Sequence, residues 1–289
     1  MDGSPADTST ATRPGLPPGR PVELPGRGTT FVREIGDPSA APTVVLLHGW
    51  TATADLNFFR VYDHAARDHH VLAIDHRGHG RGIRSRRHFR LADCADDVAA
   101  LLDHLGIASA IPIGYSMGGT VAQLLWHRHP ERTDGLVLCA TSRNFRGTRG
   151  ERLWFGAMAA AAAAARLTPG SWRAAAVDRW VERRVEPSPI QEWVAAEFGL
   201  ADARMVAEAG ASLGRFSSHE WVADIDVPAA VVVTQDDRVV PPERQRRLAE
   251  SIPGATTHPV RGDHGVCIED PAGFGEALLD ACRSVTSRL

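Results

Sequence analysis

The stretch Ile111-Pro-Ile-Gly-Tyr-Ser-Met-Gly-Gly119 decides how this chain is expected to fold. It opens with a short apolar run, which is typical of a buried strand, and residues 120–128 after it have the character of a helix. Between the two lies a Gly-x-Ser-x-Gly pattern, in which Gly114 and Gly118 leave room for a sharp, strained turn. The pattern therefore predicts that Ser116 stands at the tip of a strand-to-helix turn, where a nucleophile is presented.

Similar apolar runs recur on both sides of this stretch and alternate with helical patterns. The runs are continuous, which is typical of a parallel sheet covered by helices on both faces. One intervening helix, predicted over residues 91–105, carries a single apolar stripe. The sequence therefore predicts an α/β fold with a mostly parallel sheet. The other predicted strands are residues 43–47, 71–74, 110–113, 135–138 and 229–233.

The alternation stops between residues 143 and 220, where Ala, Arg and Trp dominate and no run typical of a buried strand occurs. We interpret this segment as a helical lid inserted into a core made of residues 28–142 and 221–289. Its aromatic residues either pack the helical layer onto the core or line an apolar substrate pocket. They are Trp154, Phe155, Trp172, Trp180, Trp193 and Phe198.

The N-terminal residues 1–27 are rich in Pro, Gly, Ser and Thr, and we predict a disordered extension there. They lack the basic start and apolar run of a signal peptide. No stretch reaches the roughly 18 apolar residues of a membrane-spanning helix. The four cysteines show no zinc-ligand or CxxC spacing, so free thiols and a reducing compartment are expected. A cytoplasmic protein without a metal or cofactor is the resulting expectation.

The overall charge argues against a nucleic-acid partner. The formal net charge of -3, with both signs interspersed, provides no basic surface of the size that phosphate binding requires. Residues 81–90 form a strongly basic local run. This run is predicted to be a solvated loop, with attraction of an anionic substrate as the alternative.

A serine hydroxyl needs a base, and the base needs a carboxylate that holds it in one tautomer. Of the thirteen histidines, His264 in Arg261-Gly-Asp-His-Gly265 follows the last strand-like segment and precedes the last helix, which favours it as the base. Gln235-Asp-Asp-Arg-Val-Val-Pro241 follows the strand at 229–233 and offers Asp237, with Asp236 as the lesser candidate. Ser116, Asp237 and His264 are therefore the predicted catalytic triad.

Attack on an ester carbonyl creates a tetrahedral oxyanion, which backbone N–H groups can stabilise. Met117 directly follows the nucleophile at a helix start, where its N–H is free and the helix dipole is favourable. Trp50 lies in Leu47-His-Gly-Trp-Thr51, directly after the first central strand. The backbone N–H groups of Trp50 and Met117 are the predicted oxyanion hole, although the Trp50 side chain could serve only for packing.

Five motifs together resemble the α/β-hydrolase family. They are His48-Gly-Trp50, Asp75-His-Arg-Gly-His-Gly80, Gly114-Tyr-Ser-Met-Gly-Gly119, Asp237-Arg-Val-Val-Pro241, and His264 with Glu269-Asp-Pro271. The resemblance covers residues 28–289 and is closest to the lidded esterases, lipases and C–C hydrolases. It implies a helical cap after the sixth strand, and it makes His48 a structural residue of the oxyanion loop. This chain has Asp263 where relatives often have Gly before the base histidine.

The resemblance and the predicted triad imply hydrolysis of a carboxylic ester through an acyl-enzyme, with a small apolar ester or related carbonyl compound as substrate. A C–C bond hydrolase and a cofactor-free perhydrolase or haloperoxidase-like enzyme would use the same residues. Epoxide hydrolases and haloalkane dehalogenases are not expected, because they carry Asp where Ser116 stands. An alternative from another class is a non-catalytic protein that binds a small ligand on a hydrolase scaffold.

Overall fold

A computed structural model describes residues 14–39, 42–167 and 189–289 of the chain, and one eight-stranded sheet lies at its centre. Its strands are β1 (Gly19–Leu24), β2 (Gly28–Ile35), β3 (Thr43–Leu47), β4 (His70–Ile74), β5 (Ile111–Tyr115), β6 (Leu136–Cys139), β7 (Ala229–Thr234) and β8 (Thr256–Val260). They lie side by side in the order β1-β2-β4-β3-β5-β6-β7-β8. Strands β3 to β8 are mutually parallel, whereas β2 is antiparallel to β1 and β4. The predicted α/β class with a mostly parallel sheet is confirmed.

Helices cover both faces of this sheet. They are α1 (Ala54–Phe58), α2 (Tyr62–Ala65), α3 (Leu91–Leu105), α4 (Met117–Arg128), α5 (Arg149–Leu167), α6 (Pro189–Gly199), α7 (Ala203–Leu213), α8 (Pro242–Ser251), α9 (Val266–Glu269) and α10 (Pro271–Thr286). Alternate residues of β3 point to opposite faces, so Val45 and Leu47 join a core with α3 and α4, and Leu46 joins one with α10. A sheet buried on both sides explains why the strands are continuous apolar runs.

The parallel strands bring four chain segments to one edge of the sheet. Ser116 follows β5, Asp237 follows β7, and His264 follows β8. The loop with Gly49 and Trp50 follows β3. Because the carboxyl ends of parallel strands lie at the same edge, these segments meet there although they are far apart in sequence.

The helices α5, α6 and α7 belong to the segment between β6 and β7. The two ends of this insertion are joined by an antiparallel bridge between Asn144 and Ser217, and the Ser218 N–H donates to the Arg143 carbonyl at 2.9 Å. Trp193 is buried against Phe59, with ring centroids 5.3 Å apart, and therefore packs the insertion onto the core. Trp172 and Trp180 lie outside the described residues.

The prediction that residues 1–27 form a disordered extension is wrong for the last part of that segment. Gly19–Leu24 forms β1, which pairs along its whole length with β2. Val22 and Leu24 alternate into the core and are buried, while Pro21 is tolerated because β1 is an edge strand. Burial of Val22 and Leu24 stabilises this strand although the sequence around it is rich in Pro and Gly. Residues 1–13 lie outside the described part of the chain.

The run at residues 81–90 is a loop in which most basic side chains are exposed, as predicted, but Arg81 is part-buried in ion pairs. The Arg81 guanidinium lies 2.9 Å from Asp55, 3.2 Å from Asp75 and 3.2 Å from Glu197 of α6. Arg84 donates to backbone carbonyls, including that of Leu200. These two arginines therefore join the core to the insertion. None of the described helices is both long and apolar enough to cross a bilayer, and the cytoplasmic location stays a prediction.

Candidate active site

Ser116 stands at a strained turn between β5 and α4. Its backbone has φ 52° and ψ -114°, a conformation that residues with a Cβ atom rarely adopt. The turn is possible because glycines stand two residues to either side of it: a Cβ at Gly118 would collide with the backbone oxygen of Leu47, and one at Gly114 with that of Gly118. The Ser116 N–H donates to the Cys139 carbonyl at 2.8 Å. The surrounding backbone therefore holds the strained turn in place.

His264 lies between the serine and an aspartate. Its Nε2 is 3.0 Å from the Ser116 Oγ, and its Nδ1 is 2.7 Å from the Asp237 Oδ2. With the hydrogen on Nδ1, the ring donates to Asp237 and can accept the proton of the serine hydroxyl. The structure thus brings together the three side chains that the sequence singles out.

The Asp237 carboxylate is buried and surrounded by donors. Its Oδ1 accepts from the backbone N–H groups of Val239 and Val240, both at 2.8 Å, and its Oδ2 accepts from the Thr234 hydroxyl at 2.7 Å as well as from His264. Gln245 of α8 donates to the same oxygen at 3.2 Å. These bonds fix the carboxylate in the orientation that faces the imidazole.

The two other aspartates near His264, Asp236 and Asp263, accept hydrogen bonds from different backbone N–H groups. The exposed Asp236 accepts a bond from the Gly262 N–H at 3.2 Å. Asp263 accepts from the backbone N–H groups of Arg238 and His264, at 2.9 and 2.7 Å. Asp263 therefore ties the turn before the histidine to the loop after β7.

The loop after β3 lies directly against Ser116. The distance from a Cβ built on Gly49 to the Ser116 Cβ would be only 3.4 Å. His48 is fully buried below this loop, and its Nε2 accepts from the His76 N–H at 2.8 Å. Burial lowers the pKa of His48 to about 4, so the ring is neutral near neutral pH. Within the described residues, the backbone N–H groups of Trp50 and Met117 have no acceptor.

A cavity of about 530 Å³ opens above the serine, and its lining is mostly apolar. The apolar lining residues are Trp50, Phe145, Trp154, Phe155, Leu213, Val239 and Val240. Trp154 of α5 is 48% exposed and stands edge-on to Trp50, with ring centroids 5.6 Å apart. Glu151 and Arg244 form an ion pair of 2.8 Å in the wall. The insertion therefore supplies part of the cavity above Ser116.

Several side chains that support this site were not identified from the sequence. Gln245 is fully buried in α8, and its amide also donates to the Val240 carbonyl at 2.7 Å. Tyr115 donates from its hydroxyl to the His264 carbonyl, and Asn57 accepts from the Gly49 N–H. A polar residue on the apolar face of a helix could have indicated Gln245. No cluster of three His, Cys, Asp or Glu side chains suited to a metal ion occurs in the ranges that the structure describes.

A strained serine at a strand-to-helix turn, with a histidine and an aspartate after later strands of the same parallel sheet, is the arrangement that defines the α/β-hydrolases. The family model described as the alpha/beta hydrolase fold matches residues 42–271. The chain therefore belongs to the α/β-hydrolase fold family.

Curated relatives and solved structures agree with this assignment. A poly(3-hydroxyalkanoate) depolymerase from Ectopseudomonas oleovorans is 28% identical over 264 residues, covering 85% of this chain and 85% of the relative. A 3-oxoadipate enol-lactonase from Acinetobacter baylyi is 29% identical, covering 72% and 76%. The structure of an esterase from a Rhodococcus species has a TM-score of 0.68 and 25% identity, covering 92% of this chain and 98% of that one.

Proposed function

We propose that this protein is a serine hydrolase that cleaves carboxylic esters through an acyl-enzyme. The observation that carries the proposal is the position of His264, whose two ring nitrogens lie 3.0 Å from the Ser116 Oγ and 2.7 Å from Asp237. A histidine held in this way can accept the hydroxyl proton as the serine attacks and return it to the leaving alcohol. Asp237 keeps the ring in the required tautomer and stabilises the imidazolium that forms.

The remaining steps use the backbone and water. The ester oxygen becomes an oxyanion, which the backbone N–H groups of Trp50 and Met117 are placed to stabilise. Collapse of this intermediate expels the alcohol and leaves the acyl group on Ser116. Water then attacks the acyl-enzyme with His264 again as the base, and the carboxylic acid departs.

The cavity supports a small, largely apolar ester as substrate. Its aromatic and aliphatic lining favours burial of an acyl or alkyl group, and its volume of about 530 Å³ lies within the range of small-molecule sites. The names of three relatives, a depolymerase, an enol-lactonase and an esterase, are consistent with ester or lactone cleavage. We propose that residues 143–220 act as the lid of this cavity, because Phe145, Trp154 and Leu213 line it.

The test is hydrolysis of short-chain aryl esters by the purified protein, with Ser116→Ala as the catalytic variant and Ser287→Ala as its matched control. Ser287 is exposed near the C-terminus and bonds only within its own helix end. Loss of the nucleophile should lower kcat by at least about 10⁴-fold, whereas the control should keep full activity. Equal rates for the Ser116→Ala and unmodified proteins would contradict the proposal.

Two further measurements separate the competing functions. A fluorophosphonate probe should label the unmodified protein at Ser116, identified by peptide mass spectrometry, and should not label Ser116→Ala. A folded protein that stays unlabelled would favour a ligand-binding protein. Vinylogous diketones and peracid formation complete the substrate panel, and activity on these without ester cleavage would favour the C–C hydrolase or the perhydrolase.

A further inference from the structure

The loop that carries the proposed oxyanion donor Trp50 has a glycine at its centre. Gly49 lies against Ser116 and has no Cβ atom, so its φ and ψ angles are the least restricted of any residue type. A donor contributes to catalysis only when its direction is set before the reaction begins. The two peptide groups that flank Gly49 must therefore be held by side chains bonded to them.

His48 holds the peptide group on one side. Its Nδ1 lies 2.8 Å from the Gly49 carbonyl oxygen, and since its Nε2 accepts from the His76 N–H, the hydrogen of the neutral ring is on Nδ1. A trans peptide group is planar, so the N–H of Trp50 points away from the Gly49 carbonyl. His48 thereby constrains the direction of the Trp50 N–H.

Asn57 holds the peptide group on the other side. Its Oδ1 accepts from the Gly49 N–H at 2.8 Å, and its Nδ2 donates to the Cys267 Sγ at 3.3 Å. Asn57 is buried in α1, while Cys267 lies in α9, three residues after His264. One amide thus connects the loop of Trp50 with the segment that carries the histidine.

We propose that Asn57 is a positioning residue of the active site, which fixes Gly49 so that the Trp50 N–H is aimed at the developing oxyanion. This inference rests on the proposed ester hydrolysis. Without Asn57, the buried Gly49 N–H loses its acceptor among the described residues, and only the His48 bond to the carbonyl still restrains the glycine. The loss affects a bond made to the transition state, so it should appear in kcat and spare KM.

The experiment compares Asn57→Ala with Asn144→Ala, the only other asparagine of the chain, which contacts His219 at the base of the insertion. Steady-state hydrolysis of an aryl ester gives kcat and KM. An aryl trifluoromethyl ketone, which forms a tetrahedral oxyanion adduct with the serine, measures affinity for the transition-state geometry. For Asn57→Ala we expect kcat and the ketone affinity to fall together by about 10- to 100-fold, with KM changed less than about 2-fold.

Other results would overturn the inference. A kcat within about 3-fold of the unmodified enzyme would show that the Gly49 bond has no role in positioning. A rise in KM that matches the fall in ketone affinity, together with a lower melting temperature, would make Asn57 a purely structural residue. If the unmodified protein cleaves no ester and leaves the fluorophosphonate unreacted, the proposed function fails and this inference falls with it.

A measurement on the unmodified protein tests the inference even if the Asn57→Ala variant does not fold. Hydrogen exchange of the Gly49 amide, followed by NMR, should be slow, since a buried and bonded N–H exchanges only when the loop opens. The neighbouring Trp50 amide, which has no acceptor within the described residues, should exchange faster. Fast exchange at Gly49 in the folded protein would contradict the proposal that Asn57 fixes this residue.

Discussion

The hydroxyl of Tyr115 donates a hydrogen bond to the backbone carbonyl of His264 at 2.7 Å. Tyr115 is the residue directly before the nucleophile, so the strand that presents Ser116 also holds the loop of the proposed base. Burial raises the pKa of Tyr115 well above its usual value, and the hydroxyl therefore stays a donor over the working pH range. Its ring packs edge-on against Phe274 of α10, with centroids 5.4 Å apart.

Replacing Tyr115 by Phe removes this bond and the hydrogen bond between the hydroxyl and the Cys267 thiol. We expect kcat to fall by about 10-fold, because His264 is then less closely confined to the geometry of attack. The matched control is Tyr62→Phe, which removes the other tyrosine hydroxyl, bonded to Asp55 at 2.9 Å. The control should lose about 1–3 kcal/mol of stability and keep its kcat. Equal kcat values for the two variants would refute the role of Tyr115.

The adjacent residues Asp236 and Asp237 allow a test of which carboxylate orients His264. In Asp237→Asn the side chain keeps its size but the imidazole loses the partner that sets its tautomer, so kcat should fall by roughly 10³- to 10⁴-fold. Asp236→Asn keeps an acceptor for the Gly262 N–H and should retain activity within a factor of about 2. The measurement is kcat on one aryl ester at neutral pH. A larger loss of kcat in Asp236→Asn than in Asp237→Asn would make Asp236 the carboxylate of the triad.

Trp154 offers a test of the cavity wall. Trp154→Ala removes an aromatic side chain that faces both Trp50 and the cavity. We expect kcat/KM for esters with long or bulky acyl groups to fall by about 10-fold, with little change for acetyl esters. Leu200→Ala, an exposed apolar residue of the same insertion that is not among the cavity-lining residues, is the control and should leave both rates unchanged. A uniform loss on all esters would place Trp154 outside substrate recognition.

Glu197 lies in a buried cluster with more acidic than basic groups. The cluster has three carboxylates, Asp55, Asp75 and Glu197, and two guanidinium groups, Arg33 and Arg81. Glu197 also accepts from the Thr53 hydroxyl at 2.7 Å. Burial raises the pKa of both Glu197 and Asp75. The folded state therefore binds a proton at Glu197 more tightly than the unfolded state does.

The sign of the pH effect follows from that shift. As the pH rises from the ordinary glutamate pKa through the raised one, the unfolded chain releases its proton first and the folded state loses stability. The melting temperature of the unmodified protein, relative to Glu197→Gln, should therefore fall as the pH rises above the ordinary glutamate pKa. Glu192→Gln, on the exposed side of the same helix, should show no such trend. A difference that is constant with pH would contradict the prediction.

The four cysteines should be unreactive in the folded protein. All are buried and free, and burial raises the pKa of Cys267 to about 11 and of Cys282 to about 12. Because the thiolate is the reactive form, iodoacetamide at neutral pH should modify none of them until denaturant is added. Intact-mass spectrometry before and after unfolding counts the modified thiols. Rapid modification of the native protein would show that one of them is accessible.

The sequence predicted the sheet because its strands depend on local composition. Continuous apolar runs mark strands covered on both faces, and the stripe at residues 91–105 corresponds to α3 with the same bounds. The antiparallel strands β1 and β2 were missed: the apolar pair Val22 and Leu24 of β1 lies among Pro and Gly residues, and β2 is not a continuous apolar run. The stability of β1 depends on pairing with β2, which composition does not reveal.

The candidate site also contains some residues that could be predicted from the sequence and others that could not. Ser116, Asp237 and His264 follow predicted strands in a characteristic order, so their common position at the sheet edge could be predicted. Asn57 and Tyr115 could not, because their partners Cys267 and His264 are 210 and 149 residues away. A polar side chain in a short helix has no distinguishing pattern until the fold brings its partner close.

The bridge between Asn144 and Ser217 has a consequence for how such proteins diversify. The insertion leaves and re-enters the core at a single point between the neighbouring strands β6 and β7. A change in its length therefore does not displace the strands that carry Ser116, Asp237 and His264, although the contacts of the insertion with Phe59, Arg81 and Arg84 would have to be replaced. A foreign helical segment grafted between Asn144 and Ser217 would replace, in one step, the part of the cavity wall that the insertion supplies.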